Sequence, residues 1–361
     1  MPGWPDGRPD GDLLGVLQQV APGTPLRDGL ERILRSETGG LIVLGEAPQV
    51  QALFSGGFRI DVPFTAQRLS ELAKMDGAIV LDEGAEHILW ANVHLMPNPA
   101  VPTAETGTRH RTAERVARQT KIPVITVSQS MHMLTLYVDD WRHVLDTGGA
   151  LLSRGNQAVQ TLEQYRGRFD TVASSLTALE VEDAVTQRDV LEVLARSEML
   201  RRIGEELERY VAELGVDGRL LQLQLDELTG GVDEDRLLIV RDYLDERSGH
   251  DMGDVLTELT ELSPEELVDT VALSKALHLS ADPEALELRL EPRGYRLLSK
   301  LPRLPVSVIG KLVERFGTLQ AVMAAGVEDL AAVEGVGQDR AHLIREGLVR
   351  LAEVSMLERY A

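Results

Sequence analysis

The stretch Gly107–Val127, GTRHRTAERVARQTKIPVITV, contains the two patterns that decide the fold of the N-terminal region. Thr108–Thr120 is predicted to form a helix, and Pro123–Val127 is a short, β-branched run that is typical of a strand. A helix followed closely by a buried strand is the unit from which α/β sheets are built, so this stretch predicts a sheet covered by helices.

The same alternation extends outward from this stretch. A further helix is predicted over Thr65–Lys74. Four more short apolar runs, bounded by Gly, Asp or Pro, are predicted strands: Leu41–Leu44, Ala78–Leu81, Ile88–Met96 and Met133–Val138. We therefore predict an α/β domain with a central mixed sheet over residues 1–148.

The rest of the chain contains no convincing strand. Large apolar residues recur with 3-4-3-4 spacing along an acidic segment, at Leu200, Ile203, Leu207, Tyr210 and Leu214. This is an a/d seam, which packs inside a bundle or joins copies of the chain. Thr229–Gly231 interrupts the next helical run, and Ser263–Glu266 has the N-cap pattern of another helix. We predict an all-α spine over residues 149–288 and an all-α domain of short helices over residues 289–361, with no internal repeat of fixed long period.

Composition excludes several classes of protein. The 361 residues include no Cys, which excludes a disulfide scaffold, a zinc ribbon and a cysteine nucleophile and suits a reducing compartment. No apolar run reaches the roughly 18 residues that a membrane-spanning helix needs. Met1–Asp12 lacks the basic and apolar regions of a signal peptide. We expect a cytoplasmic protein with no membrane contact.

The net charge of −21 is unevenly distributed along the chain. Residues 1–150 contain 13 Lys and Arg against 18 Asp and Glu, and residues 151–288 contain 13 against 31. Residues 289–361 contain 11 against 9 and are the only one of these three regions with a positive balance. The bulk acidity therefore does not exclude nucleic acid as a partner of the C-terminal region.

The C-terminal region contains a candidate DNA interface. A helical segment, Asp329–Val333, is followed by the turn Glu334–Gly337 and by a helix predicted over Gln338–Arg350. Two glycines one residue apart permit a tight turn, and the N-terminus of the following helix favours an anion such as a DNA phosphate. The candidate DNA-binding residues are Gly335, Val336, Gly337, Arg340 and Arg345, with Arg303 further upstream.

This region resembles a tandem helix-hairpin-helix domain. The resemblance covers Leu330–Leu348, and Leu301–Pro305 with the helix Val306–Phe316 resembles a second hairpin that lacks the paired glycines. It implies DNA binding through the backbone, independent of base sequence. The alternative is that the two glycines only form a helical turn.

Two polar clusters in the N-terminal region are candidates for a catalytic site. Asp76–Ala78 opens a predicted strand, where a carboxylate can bind Mg²⁺ or Mn²⁺ or accept a proton from a hydroxyl. Thr106–Thr112 opens the helix quoted above, with Thr106 or Thr108 as a candidate N-cap. Its two arginines oppose the helix dipole, and a bound polyphosphate would reverse that cost. A turn Asp and an exposed Arg pair are the alternatives.

These clusters are similar to the two signature motifs of the diadenylate cyclase family, Asp-Gly-Ala at Asp76–Ala78 and Gly-Thr-Arg-His-Arg at Gly107–Arg111. The resemblance, with the spine and the hairpin tail, covers essentially the whole chain. It implies condensation of two ATP into cyclic di-AMP with release of two pyrophosphates, and Mg²⁺ or Mn²⁺ as cofactor. It also implies a homo-octamer whose cyclase domains meet face to face, and inhibition by branched DNA.

The resemblance and the side-chain chemistry together assign roles to the site residues. Asp76 orients or deprotonates the 3′-hydroxyl of ATP, Arg109 and Arg111 hold phosphates, and His110 ligates the metal with Asp76 or binds a phosphate. The other candidate ATP-binding residues are Gly77, Ala78, Leu95, Gly107, Thr108, Thr112 and Ser128. Ser128 matches the Ser of a family Ser-Glu-Glu stretch, whose acidic residues are replaced by Gln129 and Ser130. His94 and His132 are expected to be packing or surface residues.

Two other functions stay open at this point. One is a non-catalytic scaffold that senses a nucleotide while scanning DNA. The other is a structure-specific nuclease, which needs a carboxylate cluster for two metals, whereas Asp82 and Glu83 have the pattern of a solvated turn. No P-loop, zincin or α/β-hydrolase motif is present.

Overall fold

The computed structural model describes residues 11–146, 148–244, 249 and 251–359, and the side chains of this range from residue 13 to residue 354. Most of the segment considered above for a signal peptide lies outside the described residues. The chain forms two compact units. One contains the chain up to Gln157 with Leu207–Leu223, and the other contains Ala158–Glu206 and the chain from Gln224 onward.

A mixed sheet forms the centre of the first unit and confirms the predicted α/β architecture. Among the described residues it has eight strands: β1 (Gly40–Leu44), β2 (Phe54–Ser55), β3 (Phe58–Pro63), β4 (Ala78–Leu81), β5 (His87–Leu95), β6 (Val124–Ser128), β7 (Met133–Val138) and β8 (Trp141–Leu145). Their order is β2-β5-β4-β1-β6-β7-β8, with β3 also paired to β5. Strands β1 and β4 are parallel, and the other described pairs are antiparallel. The sequence did not predict β2, β3 and β8, because these outer segments are very short or interrupted by charged residues.

Helices cover both faces of this sheet: α1 (Gly11–Gln19), α2 (Pro25–Arg35), α3 (Pro48–Gln51), α4 (Ala66–Leu72) and α5 (Thr108–Thr120). Ile42 and Leu44 of β1 enter the core that includes α1, α2 and α4. Leu41 and Val43 enter the core on the opposite face, with α3 and α5. Burial on both faces explains why β1 is a continuous apolar run without alternation.

The chain beyond the sheet is helical, as predicted. Its helices are α6 (Gly148–Val181), α7 (Gln187–Leu214), α8 (Arg219–Thr229), α9 (Val232–Tyr243), α10 (Met252–Glu261), α11 (Thr270–Ala276), α12 (Tyr295–Ser299), α13 (Val306–Phe316), α14 (Leu319–Ala324), α15 (Val327–Ala331) and α16 (Gln338–Arg359). Leu200, Leu207 and Leu214 of the predicted seam are fully buried. Ser263 does cap a turn, but only the 3₁₀ segment Glu266–Val268 follows it, because Asp269 already caps α11.

A buried polar cluster holds α12 in the second unit. The Asp242 carboxylate, at the end of α9, accepts hydrogen bonds from the backbone N–H groups of residues 294–296 at 2.7–2.8 Å. The fully buried Arg296 guanidinium forms an ion pair of 2.6 Å with Glu180 of α6. The Tyr243 hydroxyl donates to the same carboxylate at 2.9 Å. Because both charges of the ion pair are removed from water, loss of either partner would leave the other charge buried and uncompensated.

The last helices form two equivalent helical hairpins, as the resemblance implies, and their fixed 32-residue period corrects the expectation that no long-period repeat is present. Helix α15 begins 32 residues after α12, and α16 begins 32 residues after α13. The burial pattern repeats as well, since Leu298 and Leu330 are both buried core residues at equivalent positions. Over the 23 aligned positions only Gly294, Leu298 and Glu314 are identical to their counterparts. Backbone geometry and burial are repeated while side-chain identity is not, which hides the 32-residue period from a comparison of residue types.

Candidate functional site

The strand register brings the N-terminal candidate residues to one edge of the sheet. Strands β1 and β4 start at this edge, because they are parallel with Ile42 opposite Ile79. Strands β5 and β6 end there, because they run antiparallel to β4 and β1. Asp76 and Gly77 precede β4, Leu95 ends β5 and Ser128 ends β6. Residues separated by more than 50 positions in the sequence therefore share one edge.

The turn into β4 requires the glycine of the Asp-Gly-Ala motif. Gly77 has a φ of +110°, and a Cβ there would lie 2.9 Å from the backbone carbon of Asn92. Both the backbone conformation and the close approach exclude a side chain. Ala78 is buried in the core, whereas Asp76 is exposed and has no hydrogen-bond or ion-pair partner among the described residues. The Asp76 carboxylate, which has no partner among the described residues, therefore lies on this turn at the edge of the sheet that carries the other candidate residues.

Helical periodicity separates the three central residues of the second motif. His110 lies on the same face of α5 as Ala113 and Ala117, so it is buried against the sheet. Arg109 and Arg111, one residue to either side, are exposed. Gly107 is the N-cap and no side chain caps the helix, so the expected capping by Thr106 or Thr108 is wrong. The first N–H groups of α5 remain available for an anion.

The four arginines of α5 fall into two classes. Arg115 donates to the carbonyls of Pro99 and Val101, and Arg118 donates to the carbonyl of Pro102 and pairs with Glu114, so both anchor the loop that precedes the helix. Arg109 and Arg111 have no hydrogen-bond or ion-pair partner within the described part of the chain. Two unpaired guanidinium groups beside an uncapped helix N-terminus have the chemistry to bind phosphate oxygens.

Arg109 lies over the backbone that leads into β1. A Cβ on Gly39 would lie 1.9 Å from its Nη1 atom and 2.5 Å from its Cζ atom. The guanidinium therefore occupies the space that a side chain at residue 39 would fill. This contact connects the N-terminus of α5 to the start of β1, on the site edge.

His110 belongs to a buried hydrogen-bonded network. Its Nδ1 atom lies 2.8 Å from the Tyr137 hydroxyl and 3.1 Å from the Thr126 hydroxyl. Tyr137 donates to Glu105 at 2.9 Å, and Glu105 forms an ion pair of 2.5 Å with Arg142. Burial lowers the pKa of His110, and it raises the pKa of Tyr137 with help from Glu105. The imidazole is therefore held mainly neutral and the phenol protonated at pH 7.

The metal candidates are one exposed carboxylate and one buried imidazole. The described residues contain no cluster of three or more His, Asp or Glu side chains that could hold a metal. Mg²⁺ sites that serve nucleotides commonly use one or two protein ligands, with phosphate oxygens and water completing the shell. Asp76 and His110 have the donor atoms for that kind of site, and an imidazole ligand suits Mn²⁺ better than Mg²⁺.

Three other candidate residues have structural roles in this chain. The Thr112 hydroxyl donates to the Thr108 carbonyl at 3.0 Å, so its hydrogen is already used within α5. Ser128 is buried, and its hydroxyl accepts the Met131 N–H at 3.3 Å in the turn between β6 and β7. The Leu95 side chain is buried, so contact with a ligand would use its backbone. Gln129 and Ser130 are exposed in the same turn, as are His94 on β5 and His132.

The C-terminal candidates lie in the two equivalent turns of the repeat. Gly335 has a φ of +88°, and Arg303, its counterpart, has a φ of +63°. The N–H groups of Gly335 and Gly337 make no hydrogen bond within the described residues, whereas Pro305, the counterpart of Gly337, has no N–H. The first turn therefore offers one donor fewer to a phosphate.

The side chains of these turns differ in their availability. Arg303 and Arg345 are exposed and have no partner among the described residues. Arg340, in contrast, donates to the Gly335 carbonyl and stabilises the turn itself. Val336 is buried in the core of the repeat, so its side chain does not face solvent.

Sequence reasoning missed the residues that support the site. Gly39 is adjacent to Gly40 before a strand, and this pair of glycines was an available signal for close approach of a group to the backbone. Tyr137 and Glu105 had no such signal, because the contact of Tyr137 with His110 and that of Glu105 with Tyr137 depend on how α5 lies on β6 and β7.

Two family models match the chain. The model described as DisA bacterial checkpoint controller nucleotide-binding matches residues 27–141. The model described as DisA bacterial checkpoint controller linker region matches residues 145–286. The first match contains all the candidate residues at the sheet edge described above, but not helix α1. The second match contains helices α6 to α11.

Curated relatives match over nearly the full length. DNA integrity scanning protein DisA from Frankia alni is 57% identical over 356 residues, which are 98% of this chain and 99% of that protein. The proteins of the same name from Acidothermus cellulolyticus and Streptomyces avermitilis are 57% and 55% identical over 97% of this chain and 96% and 95% of their own lengths. A solved structure of DacA from Staphylococcus aureus is 18% identical over 37% of this chain and 88% of that chain, with a TM-score of 0.30, which is too low to support an argument. None of the helices in the described residues combines the length and apolarity needed to span a membrane.

Proposed function

The chain belongs to the DisA family of DNA integrity scanning proteins, and from this premise we propose that it condenses two ATP molecules into cyclic di-AMP and two pyrophosphates. The nucleotide-binding region of the family is the part that contains both polar motifs. We assign the reaction to residues 1–148, the spine to residues 149–288 and DNA binding to residues 289–361.

The observation that supports this proposal best is the pair of unpaired arginines beside an uncapped helix N-terminus. Arg109 and Arg111 have no carboxylate partner within the described residues, and the N–H groups of α5 have no side-chain cap. A protein that used these groups only for stability would pair them. The triphosphate of ATP supplies the missing negative charge.

The reaction is an in-line transfer at the α-phosphate of ATP. The 3′-hydroxyl oxygen of one ATP attacks the α-phosphorus of the other, and the bond from that phosphorus to the bridging oxygen breaks as pyrophosphate leaves. We assign Asp76 to receive the hydroxyl proton, because its carboxylate is free and exposed. Arg109 and Arg111 stabilise charge on the phosphates during the transfer. A second transfer closes the ring.

A divalent cation, Mg²⁺ or Mn²⁺, would lower the charge of the phosphates when bound. Asp76 and His110 would hold it together with phosphate oxygens. We assign two protein ligands because the candidate residues supply one carboxylate and one imidazole, and Mg²⁺ sites that serve nucleotides commonly use one or two protein ligands.

The reaction requires two copies of the chain. Each cyclase domain has one Asp-Gly-Ala turn and one α5 N-terminus, so each would bind one ATP in the orientation for half of the reaction. We propose that two domains face each other within a homo-octamer. Turnover per subunit should therefore fall on dilution below the dissociation constant of the assembly, and light scattering of the same samples should show the loss of the oligomer.

We propose that the tandem repeat is a helix-hairpin-helix domain that binds branched DNA, and that this binding lowers cyclase activity. Support comes from the equivalent left-handed turns at Arg303 and Gly335 and from the free N–H groups of the second turn. The test measures the initial rate at saturating four-way junction and at equal concentrations of linear duplex. Equal rates with and without the junction would remove the regulatory part of the proposal.

The reaction itself is tested by incubating the protein with ATP and either Mg²⁺ or Mn²⁺ and identifying the products by mass spectrometry. We expect cyclic di-AMP and pyrophosphate. Asp76→Asn should reduce the rate by at least 100-fold while ATP still binds. Asp82→Asn is the matched control, since Asp82 follows the same strand at its opposite end and an amide oxygen can still accept the His87 N–H.

The alternative is a scaffold that senses a nucleotide without turning it over. If the wild type and Asp76→Asn bind ATP equally and neither forms product with either metal, the cyclase proposal is wrong and the scaffold is supported. A loss of activity in Asp82→Asn equal to that in Asp76→Asn would contradict the assigned role of Asp76.

A further inference from the structure

The buried network behind α5 determines which nitrogen of His110 carries a proton. Glu105 is an acceptor only, and it is paired with Arg142. The Tyr137 oxygen lies 2.9 Å from the Glu105 carboxylate, so the phenol must donate its single hydrogen there. The reverse arrangement would place two acceptors without a hydrogen between them at hydrogen-bond distance.

The direction of the Tyr137–Glu105 hydrogen bond also sets which atom is the donor between Tyr137 and His110. Because the hydroxyl hydrogen of Tyr137 is used on Glu105, its oxygen can only accept from His110 Nδ1, 2.8 Å away. The Thr126 oxygen lies 3.1 Å from the same nitrogen and can accept from it as well. The contact with Tyr137 therefore requires a hydrogen on Nδ1, and the contact with Thr126 is compatible with it.

The other nitrogen lies on the ligand side of the ring. A Cβ on Gly107 would lie 3.6 Å from Cδ2 of His110, the carbon bonded to Nε2, so this edge of the ring faces the N-cap of α5. Nε2 makes no hydrogen bond within the described residues and, although His110 is largely buried, this nitrogen is not completely closed off from solvent.

We infer that Tyr137 and Glu105 are positioning residues that hold the His110 proton on Nδ1 and leave Nε2 as an electron-pair donor at the N-terminus of α5. His110 then binds a divalent cation and does not donate to a phosphate. Of the two roles expected for His110, this arrangement favours metal ligation over phosphate binding. The significance of this arrangement rests on the proposed cyclase function, but the proton position does not. An outer partner of this kind tunes a metal-binding histidine by orienting it.

The proton position is measured directly by ¹⁵N solid-state NMR of the sedimented protein labelled at the histidine imidazoles. His110→Gln identifies the signals of His110 by difference. We expect the wild type to show a protonated Nδ1 and an unprotonated Nε2. Protonation at Nε2 alone in the wild type would overturn the inference without reference to any variant.

The consequence is measured by Mn²⁺ binding in the presence of α,β-methylene ATP, which cannot undergo the transfer, with free Mn²⁺ followed by EPR. Tyr137→Phe removes the acceptor oxygen and should weaken Mn²⁺ binding about 10- to 100-fold. Thr135→Val is the matched control, because Thr135 is opposite Thr126 in the β6–β7 pair and its buried hydroxyl has no partner in the described residues. Unchanged Mn²⁺ affinity in Tyr137→Phe would contradict the inference.

The two proposals fail in different ways. If no variant and no wild-type sample forms cyclic di-AMP, while the NMR and EPR results are as expected, the inference stands and the cyclase proposal fails. If the wild type forms cyclic di-AMP and Tyr137→Phe keeps the wild-type Mn²⁺ affinity, the cyclase proposal stands and the inference fails.

Discussion

Replacing Gly39 by Ala tests whether the observed position of Arg109 matters for the reaction. The new Cβ would lie 1.9 Å from Nη1, 2.5 Å from Cζ and 2.8 Å from Nη2 of Arg109. Ordinary contact begins at 3.4 Å, so the nearest guanidinium nitrogen must retreat by about 1.5 Å. The obstructing atoms are the flexible end of a side chain, and residue 39 does not need a left-handed backbone. The fold should therefore tolerate the substitution while Arg109 is displaced.

The expected effect on the rate is large for so small a change. A displacement of about 1 Å in a group that positions the reacting atoms can reduce turnover on the order of 100-fold. We expect Gly39→Ala to reduce initial rates of cyclic di-AMP formation by about 10- to 100-fold, with an unchanged melting temperature. The assay is quantification of product by liquid chromatography at saturating ATP.

Gly84→Ala provides the control. Gly84 lies in the turn between β4 and β5, at the other end of the sheet, and a Cβ there meets its nearest atom at an ordinary 3.6 Å. A double-mutant cycle with Arg109→Ala, read as affinity for α,β-methylene ATP, separates the mechanism from a general disturbance. If Gly39→Ala weakens binding by the same factor with and without the Arg109 side chain, or if it matches Gly84→Ala in rate, the reasoning is refuted.

Three further predictions concern the second unit. Arg345→Ala should weaken binding of branched DNA several-fold and reduce the salt dependence by about one ion, as measured by fluorescence anisotropy at several KCl concentrations, whereas loss of binding without a change in salt slope would argue against a phosphate contact. Burial, assisted by Glu180, raises the pKa of Asp242 to about 7, so the folded state keeps a proton that the unfolded state loses, and the free energy of unfolding should fall as pH rises from about 4 to 7. Denaturant unfolding at pH 5 and pH 7.5 should show this fall in the wild type and a smaller one in Asp242→Asn. Arg296→Met should destabilise the second unit by about 3–5 kcal/mol, because Glu180 is left buried and unpaired, and Glu180→Gln in the same chain should recover part of the loss in thermal denaturation.

Local sequence patterns were sufficient to predict the central strands and helix α5 and to identify the polar motifs. The strands β1, β4 and β6 are apolar on both faces, so they are recognisable as continuous β-branched runs. Helix α5 was predicted with its observed limits, because its apolar period and its position between a glycine and a proline-bounded strand are properties of consecutive residues. Asp76 and Arg109 were identifiable from charge and glycine placement, since unusual residues in short motifs need no knowledge of distant contacts.

The long-range contacts were beyond the reach of such patterns. Helix capping at α5 was predicted wrongly, because the choice of Gly107 over a neighbouring Thr depends on the loop that Arg115 and Glu114 hold in place. The two successive hairpins were expected from the resemblance, but their fixed 32-residue period was not recognised, because equivalent positions share burial and backbone angle but only three identical residues. Pattern analysis compares residue types, whereas packing constrains volume and position and leaves the type free.

Residue type and local spacing were enough to identify the groups that suit a nucleotide phosphate site, namely a carboxylate on a glycine turn and two arginines at a helix start. That these groups share one edge of the sheet follows from strand order and register, which set which distant segments become neighbours. The hydrogen-bond neighbours of His110 depend on the fold in the same way, since Tyr137 is 27 residues away and meets His110 only where α5 packs on β7, with Glu105 bound to the Tyr137 hydroxyl. Local backbone periodicity is encoded in neighbouring residues, and the direction of a hydrogen bond is encoded in whatever the fold places opposite it.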